Sequence, residues 1–353
     1  MNDFWKKKKV LITGHTGFKG GWLSVFLKTL GSELYGISKS KENGIYELAN
    51  LSSIFKEEFF LDIGNDKKEK IEEILNKVKP DIIFHFAAQA IVSIGHLDPL
   101  ETIRSNTLGT LNLCLAIKNS NYCKSVVVAT TDKVYKNNEE ENKENSFLGG
   151  NDFYSLSKVG AENIISILND SFKNEPAIST VRSGNVLGGG DRGKDRLVVD
   201  LVSSFLNDEI FFVRNKKSIR PWQYVLDSIY GYLLIGEKNY TSKISEIYNL
   251  NSKINNEYSV EFLIKQFEKT LESEIKINYL QESFSEKNIL RLDSSKARDE
   301  LNWSTETSIE KTISKIINWE QHYKNIDSAS IDYCIKEIIE FLEDNSLNYK
   351  LFI

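Results

Sequence analysis

The sequence predicts an α/β fold: a doubly wound parallel sheet with a smaller mixed α/β C-terminal domain. Three observations predict it. Short apolar runs alternate with helix-period segments through the first half of the chain, which is the rhythm of βαβ units. The run Ile82-Ile83-Phe84-His85-Phe86 is almost unbroken, as a strand buried on both faces must be. A glycine-rich turn stands directly between the first apolar run and the first helical pattern, where such sheets receive a phosphate-bearing ligand.

In chain order, strands are expected at Lys9–Thr13, Glu33–Ser38, Glu58–Asp62, Ile82–Ala87, Ser125–Thr130 and Ala177–Arg182. Helices are expected between them at about 18–30, 66–78, 98–118 and 153–172. After Arg182 the rhythm breaks. Gly184–Gly190 is glycine-rich and polar, a helix-like 195–207 follows, and shorter mixed segments come next. Trp303 and Trp319 frame a helical stretch, and 329–346 reads as a last amphipathic helix. A boundary is expected near 182, with a later segment near 219–250 returning to the first sheet. There is no internal repeat. The acidic run Glu139-Glu140-Glu141, with Lys143 and Glu144, reads as a solvated loop tip.

The chain has 353 residues, enough for one large core or two moderate ones. Its 45 basic and 50 acidic residues are spread evenly and sum to −5, which argues against a nucleic-acid partner. Cys114, Cys123 and Cys334 lack metal-ligand spacing and read as buried free thiols in a reducing compartment. Val10-Leu11-Ile12 is too short for a signal segment, and no stretch is long enough to span a bilayer. A soluble, cytoplasmic protein is expected.

The turn Gly14-His15-Thr16-Gly17-Phe18-Lys19-Gly20 is a G-x-x-G-x-x-G stretch. Glycines there allow a tight turn and let backbone N–H groups approach a pyrophosphate at the helix N-terminus. Gly14, Thr16, Gly17, Phe18, Lys19 and Gly20 are therefore candidate dinucleotide contacts. The second strand ends in Ser38-Lys39 with no acid for the adenosine ribose, so both NAD and NADP remain open. Asp62, with Ile63 beside it, is a second candidate for the adenine end; its alternative role is a helix N-cap.

Tyr154 and Lys158 are spaced to share one helix face. A tyrosine near pKa 10 is a poor base at neutral pH, but an adjacent ammonium favours the phenolate, so the pair can accept a hydroxyl proton. Thr131-Asp132-Lys133 follows the fifth strand, and ligands in open α/β sheets sit at the carboxyl ends of strands. Thr131 can bond the hydroxyl being oxidised, while Asp132 and Lys133 offer an acid and a base. His15 and His85 fall in cofactor-side motifs and His322 reads as a surface residue. No carboxylate or cysteine cluster accompanies them, so no metal is expected.

These segments resemble the extended short-chain dehydrogenase/reductase superfamily, the NAD-dependent epimerases and dehydratases. The resemblance rests on Gly14–Gly20, Thr131 with Tyr154 and Lys158, and His85-Phe86-Ala87-Ala88-Gln89. The CDP-glucose 4,6-dehydratase family is more similar still. Its features include Thr131-Asp132-Lys133, Leu148-Gly149-Gly150 and the run from Arg182 through Asn185 to Asp191. Ile219-Arg220-Pro221-Trp222-Gln223-Tyr224-Val225 and Leu292-Asp293-Ser294-Ser295-Lys296-Ala297 also match, so the likeness spans about residues 8–320.

The resemblance implies a Rossmann-type NAD-binding domain over 1–182, joined by the segment near 219–250, and a mainly substrate-binding 183–353. It implies that Ala87, Ala88, Gln89 and Asn106 line the cofactor side together with Tyr154 and Lys158. Asn185 and Arg220 would hold a nucleotide diphosphate, with Gln89 and Arg196 also on the substrate. The implied reaction oxidises C4 of a nucleotide hexose, with Tyr154 taking the 4-hydroxyl proton. Lys133, where relatives use Glu, would then remove the C5 proton, Asp132 would expel the C6 hydroxyl as water, and the hydride would return to C6. Deoxysugar synthesis for surface polysaccharide or O-antigen is the implied setting. A homodimer or dimer of dimers is implied through helices 98–118 and 153–172, using Leu108, Leu111, Leu115, Ile164 and Ile165.

The chain departs from the family at several places. Ser93 and His96 stand for an arginine and a tyrosine, Phe153 for proline, Arg192 for tryptophan, and Ser285 and Asn288 near Glu286 for histidines. Another nucleotide or sugar is thereby left open. A nucleotide-sugar epimerase or reductase is the nearest rival, and Asp132 with Lys133 discriminates against it. A non-catalytic dinucleotide sensor or a structural scaffold would not need Tyr154, Lys158 and the glycine turn together.

Overall fold

The computed structural model describes residues 3–118, 120–136, 141–172, 176–213, 215–252, 258–280, 291–324 and 330–352. Six strands build the first half: β1 (Lys9–Thr13), β2 (Glu33–Ser38), β3 (Phe55–Phe60), β4 (Ile82–His85), β5 (Ser125–Ala129) and β6 (Ala177–Ser183). Later come β7 (Asn185–Leu187), β8 (Phe211–Val213), β9 (Trp222–Tyr224), β10 (Ile247–Leu250) and β11 (Ile277–Tyr279). The central sheet runs β10-β6-β5-β4-β1-β2-β3, with every neighbouring pair parallel. The doubly wound Rossmann-type sheet expected from the alternating pattern is the one observed. Its strand order reverses between β1 and β4, and that switch opens a crevice at the carboxyl ends.

Alternation along each strand divides the side chains between two cores. Val10, Ile12, Ile82, Phe84, Val127 and Val181 face the helices Phe18–Thr29 and Val225–Ser242. Leu11, Ile83, Val126, Val128 and Ile178 face the helices Lys68–Val78, Gly109–Ile117 and Phe153–Phe172. Each such fully buried aliphatic side chain contributes about 1.5–3 kcal/mol of transfer free energy, so both faces stabilise the sheet. A third core joins Phe211, Trp222, Leu263, Phe267, Ile313 and Ile316 around the short parallel pairs β8–β11 and β7–β9.

Four expectations need correction. β3 starts at Phe55, three residues before the expected Glu58, because this edge strand is polar and only half-buried and hides its start from an apolar pattern. The expected single helix 98–118 is three pieces: Pro99–Ile103, a π-turn Arg104–Leu108, and Gly109–Ile117. His322 is not a free surface side chain; it stacks on Tyr333 at 4.2 Å. Glu144 is half-buried: its carboxylate accepts from Asn249 N (2.8 Å) and its carbonyl from Arg182 Nη1 (2.8 Å). Glu139 and Glu140 lie outside the described residues. The other helices match within a few residues, with 195–207 seen as Leu197–Leu206 and 329–346 as Asp332–Asp344.

All three cysteines are buried free thiols, and burial pushes each up to about 12. Among the described residues no helix is long and apolar enough to cross a membrane, and no cluster of His, Cys, Asp and Glu could hold a metal.

Candidate active site

The crevice begins at the glycine turn. Gly14 has φ +75°, and a Cβ there would sit 2.6 Å from Ala87 N, so only glycine lets β1 turn beneath β4. A Cβ on Gly20 would meet the Gly14 carbonyl at 2.1 Å. Gly17 differs: its nearest neighbours would be 3.4 Å or more away, so packing within the chain does not demand glycine there. It opens the helix Phe18–Thr29 without a side-chain cap, leaving the first N–H groups toward the crevice. Phe18 is half-buried against the main core and faces Gly188.

At the end of the crevice expected to take the adenosine, the side chains are mutually committed. Ser38 Oγ accepts from Thr16 N (3.3 Å) and bonds His15 Nδ1 (3.0 Å), and Thr16 Oγ1 donates to the Ser40 carbonyl. His15 Nε2 reaches Glu58 (2.9 Å), and burial lowers the histidine's pKa. Lys39 Nζ is held between Asp62 (2.9 Å) and Glu101 (2.6 Å). Asp62 caps its own turn, accepting from Gly64 N and Asn65 N, whereas the helix Lys68–Val78 has Lys67 at its N-cap. Ile63 is buried beside it.

After β4, Asn106 clasps the Gln89 backbone from both sides. Its Oδ1 accepts from Gln89 N and its Nδ2 donates to Gln89 O, both at 2.8 Å. The Gln89 side chain does not project freely: its amide donates to the Ile91 carbonyl (3.0 Å) and Thr102 Oγ1 (2.8 Å). Ala87 N donates to Thr13 Oγ1, and Ala88 lies half-buried between them. His85 is buried between Thr13 and Thr110, and burial holds its pKa near about 3, so it is a neutral packing residue.

The two candidate catalytic segments meet. Thr131 Oγ1 donates to Asp132 Oδ1 (3.0 Å) and lies in hydrogen-bonding range of the Tyr154 phenol. Asp132 is buried, and its Oδ2 has no hydrogen-bond partner among the described residues. Burial raises its pKa against the opposing pull of Lys133, Thr131, Arg220 and Lys19. Lys133 itself is half-buried on the same turn. Lys158 Nζ donates to the Ala129 carbonyl (2.9 Å), and burial lowers it to about 8.

One expectation fails here. The lysine was to bring the tyrosine down, yet burial pushes Tyr154 up to about 12, with Thr131 and Arg196 acting the other way. The low-dielectric surroundings outweigh the cations, because desolvation penalises the phenolate directly.

On the other wall, β7 pairs with β9, with Asn185 opposite Trp222, and Asn185 N donates to the Pro221 carbonyl (3.0 Å). Arg220 is buried and its Nη1 donates to the Ile219 carbonyl. Arg196 Nη1 reaches both Asp191 oxygens, at 2.7 and 2.6 Å.

Two of the departures from the family pattern touch each other. His96 packs edge-on to Phe153 at 6.3 Å, and Ser93 hydrogen-bonds Asp195 across the cleft. Arg192 makes a two-pronged pair with Glu320 (2.8 and 2.6 Å) beside Trp319, whose ring fills the space above Gly189. Ser285, Glu286 and Asn288 lie outside the described residues.

Sequence reading missed Glu162 and Ser157. Glu162 accepts from Thr130, Thr180 and Arg182, and its spacing of four from Lys158 on one helix face was the available signal. Ser157 had none, since its partner Asn106 lies 51 residues away.

Comparison with known proteins decides the family. Residues 11–316 match the family model described as GDP-mannose 4,6 dehydratase. The chain belongs to the GDP-mannose 4,6-dehydratase family. Within reach of this family, CDP-glucose 4,6-dehydratase of Salmonella typhimurium is 35% identical over 90% of this chain and 91% of its own length. UDP-glucose 4-epimerase of Bacillus subtilis is 24% identical over 90% of this chain and 98% of its own. Among solved structures, UDP-glucose-4-epimerase from Stenotrophomonas maltophila, with bound NAD and formylated UDP-arabinopyranose, superposes with TM-score 0.80. It is 19% identical over 90% of this chain and 99% of that one, which places the GDP-mannose 4,6-dehydratase family chain on the same fold.

Proposed function

We propose that this chain is an NAD-dependent nucleotide-sugar 4,6-dehydratase, a hydro-lyase that converts CDP-glucose or a near relative to its 4-keto-6-deoxy derivative. The observation that carries the reading is Asp132, a buried carboxyl with one oxygen held by Thr131 and the other unpaired among the described residues, beside Tyr154. An epimerase needs only the tyrosine–lysine couple. Loss of water needs an additional acid, and burial favours the protonated form of this one. The kinship with the Salmonella typhimurium enzyme supports CDP-glucose as the first substrate to try.

A dinucleotide fits the residues present. Gly17 leaves room where packing does not require it, at an uncapped helix N-terminus formed by Gly14, Thr16, Gly17, Phe18, Lys19 and Gly20. NAD suits the adenosine end better than NADP, because Asp62 and Glu101 already neutralise Lys39 and would repel a 2′-phosphate. When bound, NAD supplies the acceptor for the C4 hydride and its donor to C6.

The chain's own residues handle the protons. Tyr154 Oη accepts the proton of the 4-hydroxyl, with Thr131 orienting that hydroxyl, Thr131 and Arg196 favouring the phenolate, and Lys158 as its partner four residues along the same helix. Lys133, in its neutral form, accepts the C5 proton and returns it to C5 as the hydride reaches C6, and Asp132 donates to the departing C6 hydroxyl, which leaves as water. Asn185, Arg196 and Arg220 hold the nucleotide diphosphate, guanidinium forks matching phosphate oxygens. Residues 1–182, with the helix Val225–Ser242 and β10, form the dinucleotide side, and 183–353 mainly the substrate side.

The wider setting is cytoplasmic deoxysugar synthesis for surface polysaccharide. The working unit is a homodimer joined through the helical faces that carry Leu108 (42% exposed) and Leu156 (49% exposed). Ile165 does not join that face, being buried in the sheet core, and Leu111, Leu115 and Ile164 pack partly against it.

The test is incubation with a panel of nucleotide hexoses, following a 4-keto-6-deoxy product by its absorbance in base and by the mass loss of one water. Tyr154→Phe should abolish product while leaving nucleotide binding intact. A wild-type enzyme that yields only a C4 epimer sinks the dehydratase reading.

A further inference from the structure

The loop 189–196 is held at three places. At its base, Trp22 Nε1 of the helix Phe18–Thr29 donates to the Gly189 carbonyl (3.0 Å), and Ile45 N donates to the Gly190 carbonyl (3.0 Å). Gly190 has φ +79°, and a Cβ there would come 2.8 Å from both Ile45 and Trp319, so the chain turns where no side chain fits. In the middle, Glu320 of the helix Ile309–Lys324 grips two points at once. Its buried carboxylate accepts from Gly190 N (3.1 Å) and from both Arg192 Nη groups (2.8 and 2.6 Å). At the far end, Asp195 accepts from Ser93 Oγ. Two residues beyond Ser93, a Cβ on Gly95 would lie 3.3 Å from Tyr154 N. The loop is thus tied to the helix of the glycine turn, to the C-terminal half and to the helix packed on Tyr154.

An ion pair with one partner open to solvent contributes little stability, and burying a carboxylate costs solvation, so stability does not explain the Arg192–Glu320 pair. What it holds in place does. Asp191 is buried and accepts from Gly193 N (2.9 Å) and, through both oxygens, from Arg196 Nη1 (2.7 and 2.6 Å). The Arg196 side chain runs over Gly193, where a Cβ would sit 2.6 Å from Nε. Among the described residues these bonds engage only Nη1, which leaves the Nε–Nη2 edge for a pair of phosphate oxygens.

We propose that Glu320 is a positioning residue for substrate binding: by fixing Gly190 and Arg192 it sets the loop in which Asp191 presents Arg196 to the substrate diphosphate. The inference rests on the nucleotide-sugar reading of the site and adds to it a residue that acts through Arg196, without touching the ligand.

The experiment uses the full-length chain and combines CDP-glucose turnover with calorimetry of CDP and of NAD. Glu320→Gln keeps the side chain's shape and removes its charge. It should raise KM for CDP-glucose and weaken CDP by about tenfold, with kcat changed less than KM and NAD affinity unmoved. Ser93→Ala releases the far end of the loop and should weaken CDP by about twofold. The deciding comparison is with Arg196→Met, which should itself weaken CDP by about tenfold or more. Adding Glu320→Gln to Arg196→Met should cost less than about twofold further, because both changes act through one guanidinium. If Glu320→Gln fails to fold, Arg192→Gln, at a partly exposed side chain, takes its place in the same cycle. Full additivity of the two changes overturns the proposal, and so does a CDP affinity that a folded variant leaves unmoved. Equal weakening of CDP and NAD also overturns it, as a general loosening of the fold. A wild-type chain that binds neither CDP nor CDP-glucose sinks the CDP-sugar reading, and this inference with it.

Discussion

Asn106 Nδ2 donates to Ser157 Oγ at 2.8 Å, and through that bond a π-turn after β4 is tied to the helix turn between Tyr154 and Lys158. The same amide grips both backbone groups of Gln89. One buried side chain thus sets the spacing between the proposed cofactor wall and the proposed catalytic couple. Asn106→Ala should leave the Gln89 N–H and C=O and the Ser157 hydroxyl short of a partner. The expected cost is about 2 kcal/mol of stability, read in urea unfolding, with a kcat loss larger than any change in KM.

Lys133→Ala separates the two halves of the proposed chemistry. C4 oxidation depends on Tyr154 and Thr131 and should proceed, whereas removal of the C5 proton should stall. Reduced dinucleotide should then accumulate at 340 nm in a roughly stoichiometric burst. Turnover at the wild-type rate would remove Lys133 from the mechanism.

Arg182 and Glu162 form a buried pair in which every carboxylate oxygen is satisfied, by Arg182 Nε and Nη2, Thr130 and Thr180. Arg182 also donates to Tyr135 Oη and the Glu144 carbonyl, joining β6 to the loop before Tyr154. Arg182→Met strands a buried carboxylate and should cost about 3–5 kcal/mol. The double variant Arg182→Met with Glu162→Gln should recover part of that loss in a thermal unfolding series; no recovery would show that packing, and not charge, is what was lost.

The last helix carries a pH dependence. Glu337 is buried against Tyr224, whose hydroxyl donates to it, and burial raises its pKa from 4.5 to about 7. Lys315 acts on it in the opposite direction and Glu340 in the same one. The folded chain therefore holds a proton that the unfolded chain has released. That contribution to stability is fully present below about pH 4.5 and is lost as pH rises through about 7. Glu337→Gln should remove this loss, so its advantage over wild type should grow by on the order of 2 kcal/mol between pH 5 and pH 8. Parallel urea-unfolding curves for the two proteins at both pH values would refute it.

The strand rhythm, the glycine turn and the two candidate catalytic segments are legible in the sequence because each is local. Alternating burial writes itself into β1, β4 and β5, and Gly14 is required by one turn. β3 was misplaced because an edge strand buries too little to show a pattern. The π-turn at Arg104–Leu108 is not marked in the sequence, where its residues continue the helical pattern; within it Asn106 bonds Gln89 and Ser157, which only the fold brings near.

What the sequence by itself determined is the doubly wound sheet and its family, and it also named the candidate residues for the chemistry, since periodicity and short motifs are read along the chain. What only the tertiary structure decided is where those residues point and what surrounds them. Lys19 turns from the glycine turn to Ser183, Arg192 closes on Glu320, and Tyr154 is pushed up to about 12. The physical reason is common to all three: side-chain direction and desolvation depend on groups brought together from more than a hundred residues away in the first two cases, and in the third on burial that no local pattern reports.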